Sequence, residues 1–409
     1  YKRQTISIPD KAGNTLEKNI TLKIDNAAPE VVWSSYPERG ATNTTVSIKL
    51  NVSDWPSAPK IINVSIGDNY NETTISSYSS TTESNYWNGT INVTLPKTAG
   101  TYTIYVYVED EKGNNKTYEI GTIEVIPAQP AEVKLNLVEL NGEPSGFTEG
   151  ASYYVVFVGD EFKLKATIYD QFGNPVSAEN LKIKWKIVLK NESGAVRVLE
   201  IPEVGDWALF EALSYGPIEI EAHLIEYTDP ITGNTTTYSV GEVYGSAMIY
   251  MVPEVNKVVI TAPDVMTVNE STSVTIAAYY NETDGKFTSY LGVSSFEVVV
   301  PHAPITLETI YGTLESTSVE TGVDGTVTVE YKAPDYIGVS KVTEKITAYY
   351  NGNEVGSKEI EIRAGAPESV GVEFEPSPAL MTEPITLTIT LYDEFNNPAY
   401  GEYAVSIAT

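Results

Sequence analysis

The chain has 409 residues with 26 Lys plus Arg against 55 Asp plus Glu, and its net charge of −29 excludes a surface that grips phosphate backbones. It has no cysteine, so it carries neither a disulfide framework nor thiolate chemistry, and its stability must come from apolar cores. The length is too great for one sandwich core and fits about three to four domains, while abundant Tyr, Val, Ile and Thr with few helix-forming runs predict an all-β chain.

In chain order, Asp10-Lys11-Ala12-Gly13-Asn14 reads as a hairpin turn between the last two strands of a domain. No earlier strands precede it, so residues 1–27 are expected to be the closing strands of a truncated domain. Pro29-Glu30-Val31 opens the next unit, 28–127. Within it Val46-Ile48-Leu50-Val52 alternate with polar residues, the mark of a strand with one buried face. Tyr102, Ile104, Val106 and Val108 form a matching face before Asp110-Glu111-Lys112-Gly113-Asn114, which repeats the first turn 100 residues on.

Pro130-Ala131-Glu132-Val133 opens the unit 128–252, with Phe162-Leu164-Ala166-Ile168 as its alternating strand. Farther on, Leu181, Ile183, Trp185, Ile187 and Leu189 are expected in the core, with Lys182, Lys184, Lys186, Val188 and Lys190 on the solvated face. Pro253-Glu254-Val255 opens the unit 253–364, with Val274-Ile276-Ala278-Tyr280. Pro367-Glu368-Ser369-Val370 then opens residues 365–409, the first strands of a second truncated domain, with Ile385-Leu387-Ile389-Leu391. The four alternating strands start 116, 112 and 111 residues apart, one two-sheet sandwich per repeat. Proline at each boundary fixes φ and ends ladder pairing, so the linkers are expected to be short and stiff.

Asn-x-Ser/Thr occurs at Asn19, Asn43, Asn51, Asn63, Asn71, Asn88, Asn92, Asn115, Asn191, Asn234, Asn269 and Asn281, which is 12 of 26 asparagines. The 75 Ser plus Thr residues predict about five by chance, so the excess points to N-linked glycans and an extracellular location. No stretch approaches the roughly 18 apolar residues of a membrane span, and no apolar leader opens the chain. Membrane contact is therefore expected only through regions outside it. Only three Gln and four Met residues lean the composition towards a thermophile.

Chemistry is sparse. His223, in the alternating strand Ile218–Leu224, and His302, after Pro301, are far apart and read as ordinary surface or edge residues. No catalytic constellation or phosphate loop is legible, so no enzyme and no bound organic cofactor is expected. Calcium is the one ligand the residues could hold, through Asp110 and Glu111, Asp160 and Glu161, or Asp170 and Asn174. The same residues would equally make Asx turns and blunt strand edges.

Tyr169-Asp170-Gln171-Phe172-Gly173-Asn174-Pro175 recurs 223 residues on as Tyr392-Asp393-Glu394-Phe395-Asn396-Asn397-Pro398. Both resemble the strand-turn signature of bacterial group 1 immunoglobulin-like domains, as in invasin and intimin. Asp324 to Val329 and Ile346-Thr347-Ala348 are similar to later strands of that family. The Asp-x-x-Gly-Asn hairpins followed by Ile24 to Pro29 resemble another immunoglobulin-like repeat of prokaryotic surface proteins. In the third unit, Tyr279 to Gly285 lacks the Asn-Pro turn. Sequon density, acidity and Tyr/Thr richness resemble archaeal surface-layer glycoproteins.

The resemblance implies an all-β string of tandem immunoglobulin-like β-sandwiches arranged as beads, a rod on the order of 150 Å long. It implies a non-catalytic spacer and scaffold of a surface layer or stalk, self-associating into a lattice or filament. An adhesin stalk is the alternative, with Ile225 to Tyr244 as its candidate insertion, and a filament subunit the third reading.

Overall fold

The computed structural model describes residues 2–22, 24–190, 196–375 and 384–406. Strand Thr45–Asp54 alternates faces as its sequence dictates, with Val46, Ile48, Leu50 and Val52 buried. It lies between Glu30–Ser35 and Asn85–Thr94, antiparallel to both. The facing sheet runs Arg39–Ala41, Asn115–Ile126, Gly100–Asp110, Pro59–Ile66, Asn69–Thr74. The opening segment therefore changes sheets, since Arg39–Ala41 pairs parallel with the closing strand Asn115–Ile126.

The next two units repeat this exchange. Pro130–Leu140 pairs antiparallel with Glu161–Asp170, whereas Tyr153–Phe157 runs parallel to Tyr244–Val252 in the opposite sheet. Lys257–Thr261 pairs antiparallel with Ser271–Glu282, and Val265–Thr267 runs parallel to Asn353–Arg363. The fold is a string of immunoglobulin-like sandwiches. Residues 30–126, 130–252 and 257–363 are called sandwiches I, II and III below.

Each sandwich has its own apolar cluster. That of I is built from the Thr45–Asp54 strand against Ile62, Val64, Ile104, Val106 and Val108. In II, Trp185 is fully buried among Phe162, Leu164, Phe210 and Ile220, and its indole N–H donates to the Gly205 carbonyl at 3.0 Å. The cluster of III extends across its boundary to Val155 and Val252 of II, so these two interiors touch. Each such large apolar side chain contributes about 1.5–3 kcal/mol by leaving water.

The two terminal pieces are antiparallel hairpins, Lys2–Pro9 with Thr15–Leu22 and Ser369–Glu375 with Thr386–Tyr392. The turn at Asp10–Asn14 joins the first pair as its residues predict. Among the described residues neither pair has an opposite sheet, and Ile8, Leu16, Phe374, Ile385 and Leu387 are exposed.

Three expectations are corrected. Val188, placed with the lysines, is buried opposite Glu219 and Val198 in register, whereas Ile187 and Leu189, placed in the core, are only half-buried. His223 is not a surface residue: it is buried, and Gly241 and Glu221 bond both ring nitrogens. His302 lies in the boundary between II and III rather than on a free edge. Where the third unit lacks the Asn-Pro turn, the chain instead makes a six-residue helix, Lys286–Leu291, with Phe287 buried.

Candidate functional site

The polar chemistry of the chain collects where one sandwich meets the next. Extending the four alternating strands to their ends brings Asp54, Asp170, Glu282 and Asp393 to equivalent places, 116, 112 and 111 residues apart. Each places a carboxylate at a boundary.

Between I and II, Asp170 first holds its own turn. Its Oδ1 accepts the backbone N–H groups of Phe172 and Asn174, both at 2.9 Å. Its Oδ2 then reaches out of the sandwich, accepting from Thr42 Oγ1 at 2.8 Å and Ala128 N–H at 3.0 Å. Asn174 completes the clamp: its Oδ1 accepts from Ala99 N–H at 2.8 Å, and its Nδ2 donates to the Lys97 carbonyl at 2.7 Å. The Lys97 ammonium sits 5.8 Å from the Phe172 ring centre. Burial opposes ionisation of Asp170, but this set of donors outweighs it and holds the carboxyl below its ordinary value.

The boundary after III repeats the device. Asp393 Oδ1 accepts from Phe395 and Asn397 N–H at 3.0 and 2.8 Å, and Oδ2 from Gly365 N–H at 2.9 Å. Asn397 Oδ1 accepts from Ile337 and Gly338 N–H at 2.6 and 2.9 Å, while its Nδ2 donates to the Asp335 carbonyl at 2.8 Å. Phe395 packs against the core of III, and the Arg363 guanidinium lies 4.6 Å from the Tyr400 ring centre. Burial of Asp393 is again outweighed by its donors, and its carboxyl is lowered.

Between II and III the acid is longer and the contact is aromatic. Glu282 Oε1 accepts from Phe287 and Thr288 N–H at 2.7 and 3.0 Å, and Oε2 from the Tyr280 hydroxyl at 2.9 Å and Tyr215 of II at 3.4 Å. Lys286 lies over the Tyr215 ring at 4.7 Å and donates to its carbonyl. Tyr250 of II meets Phe287 and Phe296 edge-on at 5.6 and 5.2 Å, and Phe157 stacks on Tyr350 at 6.0 Å.

The boundary before I differs in charge. Ser57 Oγ touches Asp25 Oδ2, Asp54 Oδ2 at 2.7 Å and Asp110 Oδ2 at 2.8 Å. One oxygen of each carboxylate lies within 4.8 Å of the others. A hydroxyl has a single proton, so it satisfies one of the three at a time and turns lone pairs to the rest. Burial, with Asp25 and Asp110 nearby, raises Asp54; Asp110 is lowered because bonds from Asn114, Ser57 and Lys112 outweigh its burial. A cleft of about 520 Å³ opens beside them, lined by Ile24, Asp25, Pro56, Ser57, Glu111 and Lys112.

Of the residues considered for calcium, only Asp110 stands in a carboxylate cluster, with Glu111 on the adjoining cleft. Asp160 accepts from Phe157 N–H and Asn141 Nδ2, with exposed Glu161 beside it. Asp170 and Asn174 face donors of the neighbouring sandwich. Asp25 stood in the Ile24–Pro29 resemblance without being singled out as a ligand, and Asp54 carried no local motif. Extending the aligned strands by two residues would have found Asp54.

The sequon residues Asn43, Asn71, Asn88, Asn92, Asn115, Asn234, Asn269 and Asn281 are exposed, and Asn51 and Asn63 half-buried. Asn51 and Asn88 lie directly opposite on neighbouring strands, Asn51 Nδ2 donating to Asn88 Oδ1 at 2.6 Å. The side chain of Asn19 and the whole of Asn191 lie outside the described residues.

No family model matches the chain, and no curated protein matches it. Among solved structures, it is similar to the fibronectin(III)-like modules of Clostridium thermocellum CbhA, with 13% identity over 55% of this chain and 94% of that one at a TM-score of 0.18. The D0–D1 domain of intimin is 11% identical over 57% and 98%, with a TM-score of 0.19. The D1–D4 ectodomain fragment of ICAM-5 is 10% identical over 88% and 83%, with a TM-score of 0.23. Likeness at this level carries no information on activity or partner.

Proposed function

We propose that the chain is a non-catalytic structural segment of a cell-surface glycoprotein, a stiff spacer in a surface layer or stalk. The observation that carries this reading is the closure of every boundary by named side chains, twice through the same Asp/Asn clamp. Side chains that bridge modules at each step restrict rotation between them, which suits a spacer that must hold a length. The acidic surface and clustered sequons support an extracellular setting with N-linked glycans. Self-assembly into a lattice would then use surfaces outside these boundaries.

Small-angle scattering tests stiffness. A compact globule of this length has a radius of gyration of about 22 Å. A rod on the order of 150 Å gives about 43 Å. A value near the lower figure overturns the reading. Protease shaving of intact producing cells tests location, since a surface spacer must release its peptides. Glycopeptide mass spectrometry on the native protein tests the sequons, with modification expected at exposed sites such as Asn92 and Asn234.

The cation part of this reading belongs to the first boundary. There Asp54 meets, besides the Ser57 hydroxyl, the carboxylates of Asp25 and Asp110, a set of hard oxygens suited to Ca²⁺. Calcium at millimolar levels is expected to raise the melting temperature of I relative to chelator, and Asp54→Asn to abolish the rise. Equal melting with and without calcium in the wild type removes this part and leaves the spacer intact.

A further inference from the structure

In each sandwich the opening segment, once it has changed sheets, lies beside the closing strand and runs parallel to it. In I these are Arg39–Ala41 and the end of Asn115–Ile126. In II they are Tyr153–Phe157 and the end of Tyr244–Val252, and in III Val265–Thr267 and the end of Asn353–Arg363. A pull along the chain reaches the first of each pair from its start and the second from its finish. Because the two are parallel, the pull slides them past each other, and the bonds between them carry the load together. A hairpin pulled at its open end parts one bond at a time.

The three contacts are unequal. The parallel segment is three residues long in I and in III, and five in II. A further backbone bond closes the ladder at either end in all three, so the added residues of II are a net gain. The opening strand ahead of the contact differs in the same direction: Pro130–Leu140 has 11 residues, against six in Glu30–Ser35 and five in Lys257–Thr261.

Burial sharpens the difference. In I only Gly40 of the parallel segment is buried, and in III only Met266, whereas II buries Tyr154, Val155 and Val156. Tyr154 and Val156 belong to the core of II, and Val155, on the other face of the strand, packs into the cluster of III. The segment is therefore covered on both sides. Backbone bonds open to water are the ones a protein gives up first, since water replaces each partner as it leaves. The Tyr154 hydroxyl also donates to the Leu135 carbonyl at 2.7 Å, tying the segment to the opening strand in the facing sheet.

We propose that sandwich II is the load-holding link of the chain, and that under tension I and III open while II stays folded. The inference deepens the spacer reading and rests on it for a setting in which the chain is pulled. Forced opening is governed by the unfolding rate rather than by equilibrium stability, so the strands that must slide decide the order. Opening of III uncovers Val155, but Tyr154 and Val156 stay in the core of II and keep that order.

The test is single-molecule force spectroscopy of the full chain held by its two ends. Residues 30–126, 130–252 and 257–363 release at most about 350, 440 and 390 Å at about 3.6 Å per residue, so each step names its sandwich. The longest step is expected last and at the highest force. Tyr154→Phe keeps the buried ring and removes its bond to Leu135. It should raise the unfolding rate of II at a given force about tenfold, as loss of one buried bond predicts, and leave I and III unchanged. A longest step that comes first or second in the wild type overturns the proposal. So does a Tyr154→Phe chain whose longest step is unmoved. Either result leaves the spacer reading in place, which falls only to a radius of gyration near that of a globule.

Discussion

Replacing Asp170 by Asn separates the turn from the clamp. The amide oxygen can still accept from Phe172 and Asn174 N–H, so the turn survives. The NH₂ group then stands where Oδ2 accepted from Thr42 Oγ1 and Ala128 N–H, setting donor against donor across the boundary. Two bonds to a buried carboxylate are worth about 1.5–3 kcal/mol each. The Thr42 hydroxyl, 3.1 Å from Ala128 N–H, can rotate and recover part of this. A net loss of about 2–4 kcal/mol is expected at the boundary, or roughly 30- to 800-fold in its open population. Pulsed dipolar spectroscopy between single labels in I and II reads this as a broadened distance distribution, while the Trp185 core of II should melt nearly as before. Asp393→Asn should leave the I–II distribution unchanged. If Asp170→Asn keeps that distribution as narrow as the wild type, the clamp does not set the boundary and the reasoning fails.

Further outcomes follow from the same contacts. Asp170 and Asp393 are held below their ordinary values, so their contribution is present above the unfolded carboxyl range, about pH 4, and is lost as pH falls through the folded values. Acid titration of the I–II distribution should therefore show loosening only below about pH 4. Trp185→Ala should cost II about 3–5 kcal/mol in chemical denaturation, with I unaffected, because a fully buried ring and its bond to Gly205 are removed. Glu344→Gln should cost III about 2–4 kcal/mol. Buried Glu344 accepts from Ile310, Tyr311 and Gly312 N–H and from the Tyr331 hydroxyl, and an amide cannot serve all four. Burial, together with the bond to Glu344, pushes the Tyr331 hydroxyl up, so spectrophotometric titration of that tyrosine should move down in the variant.

The sequence by itself determined the strands, their repeat and the turn residues. These are local matters: a period of two residues is written into Val46-Ile48-Leu50-Val52, and Asp-x-x-Gly-Asn closes its own backbone. The tertiary structure alone decided what the outward edges of those turns touch. Asp170 and Asn174 satisfy their turn with half of their hydrogen-bonding capacity, and nothing in the turn names Thr42, Lys97 or Ala99 as the partners for the rest. The burial of Val188 and the place of His302 between II and III have the same cause. Each depends on groups brought together by pairing and stacking across tens to more than a hundred residues, where side-chain pattern carries no distance information.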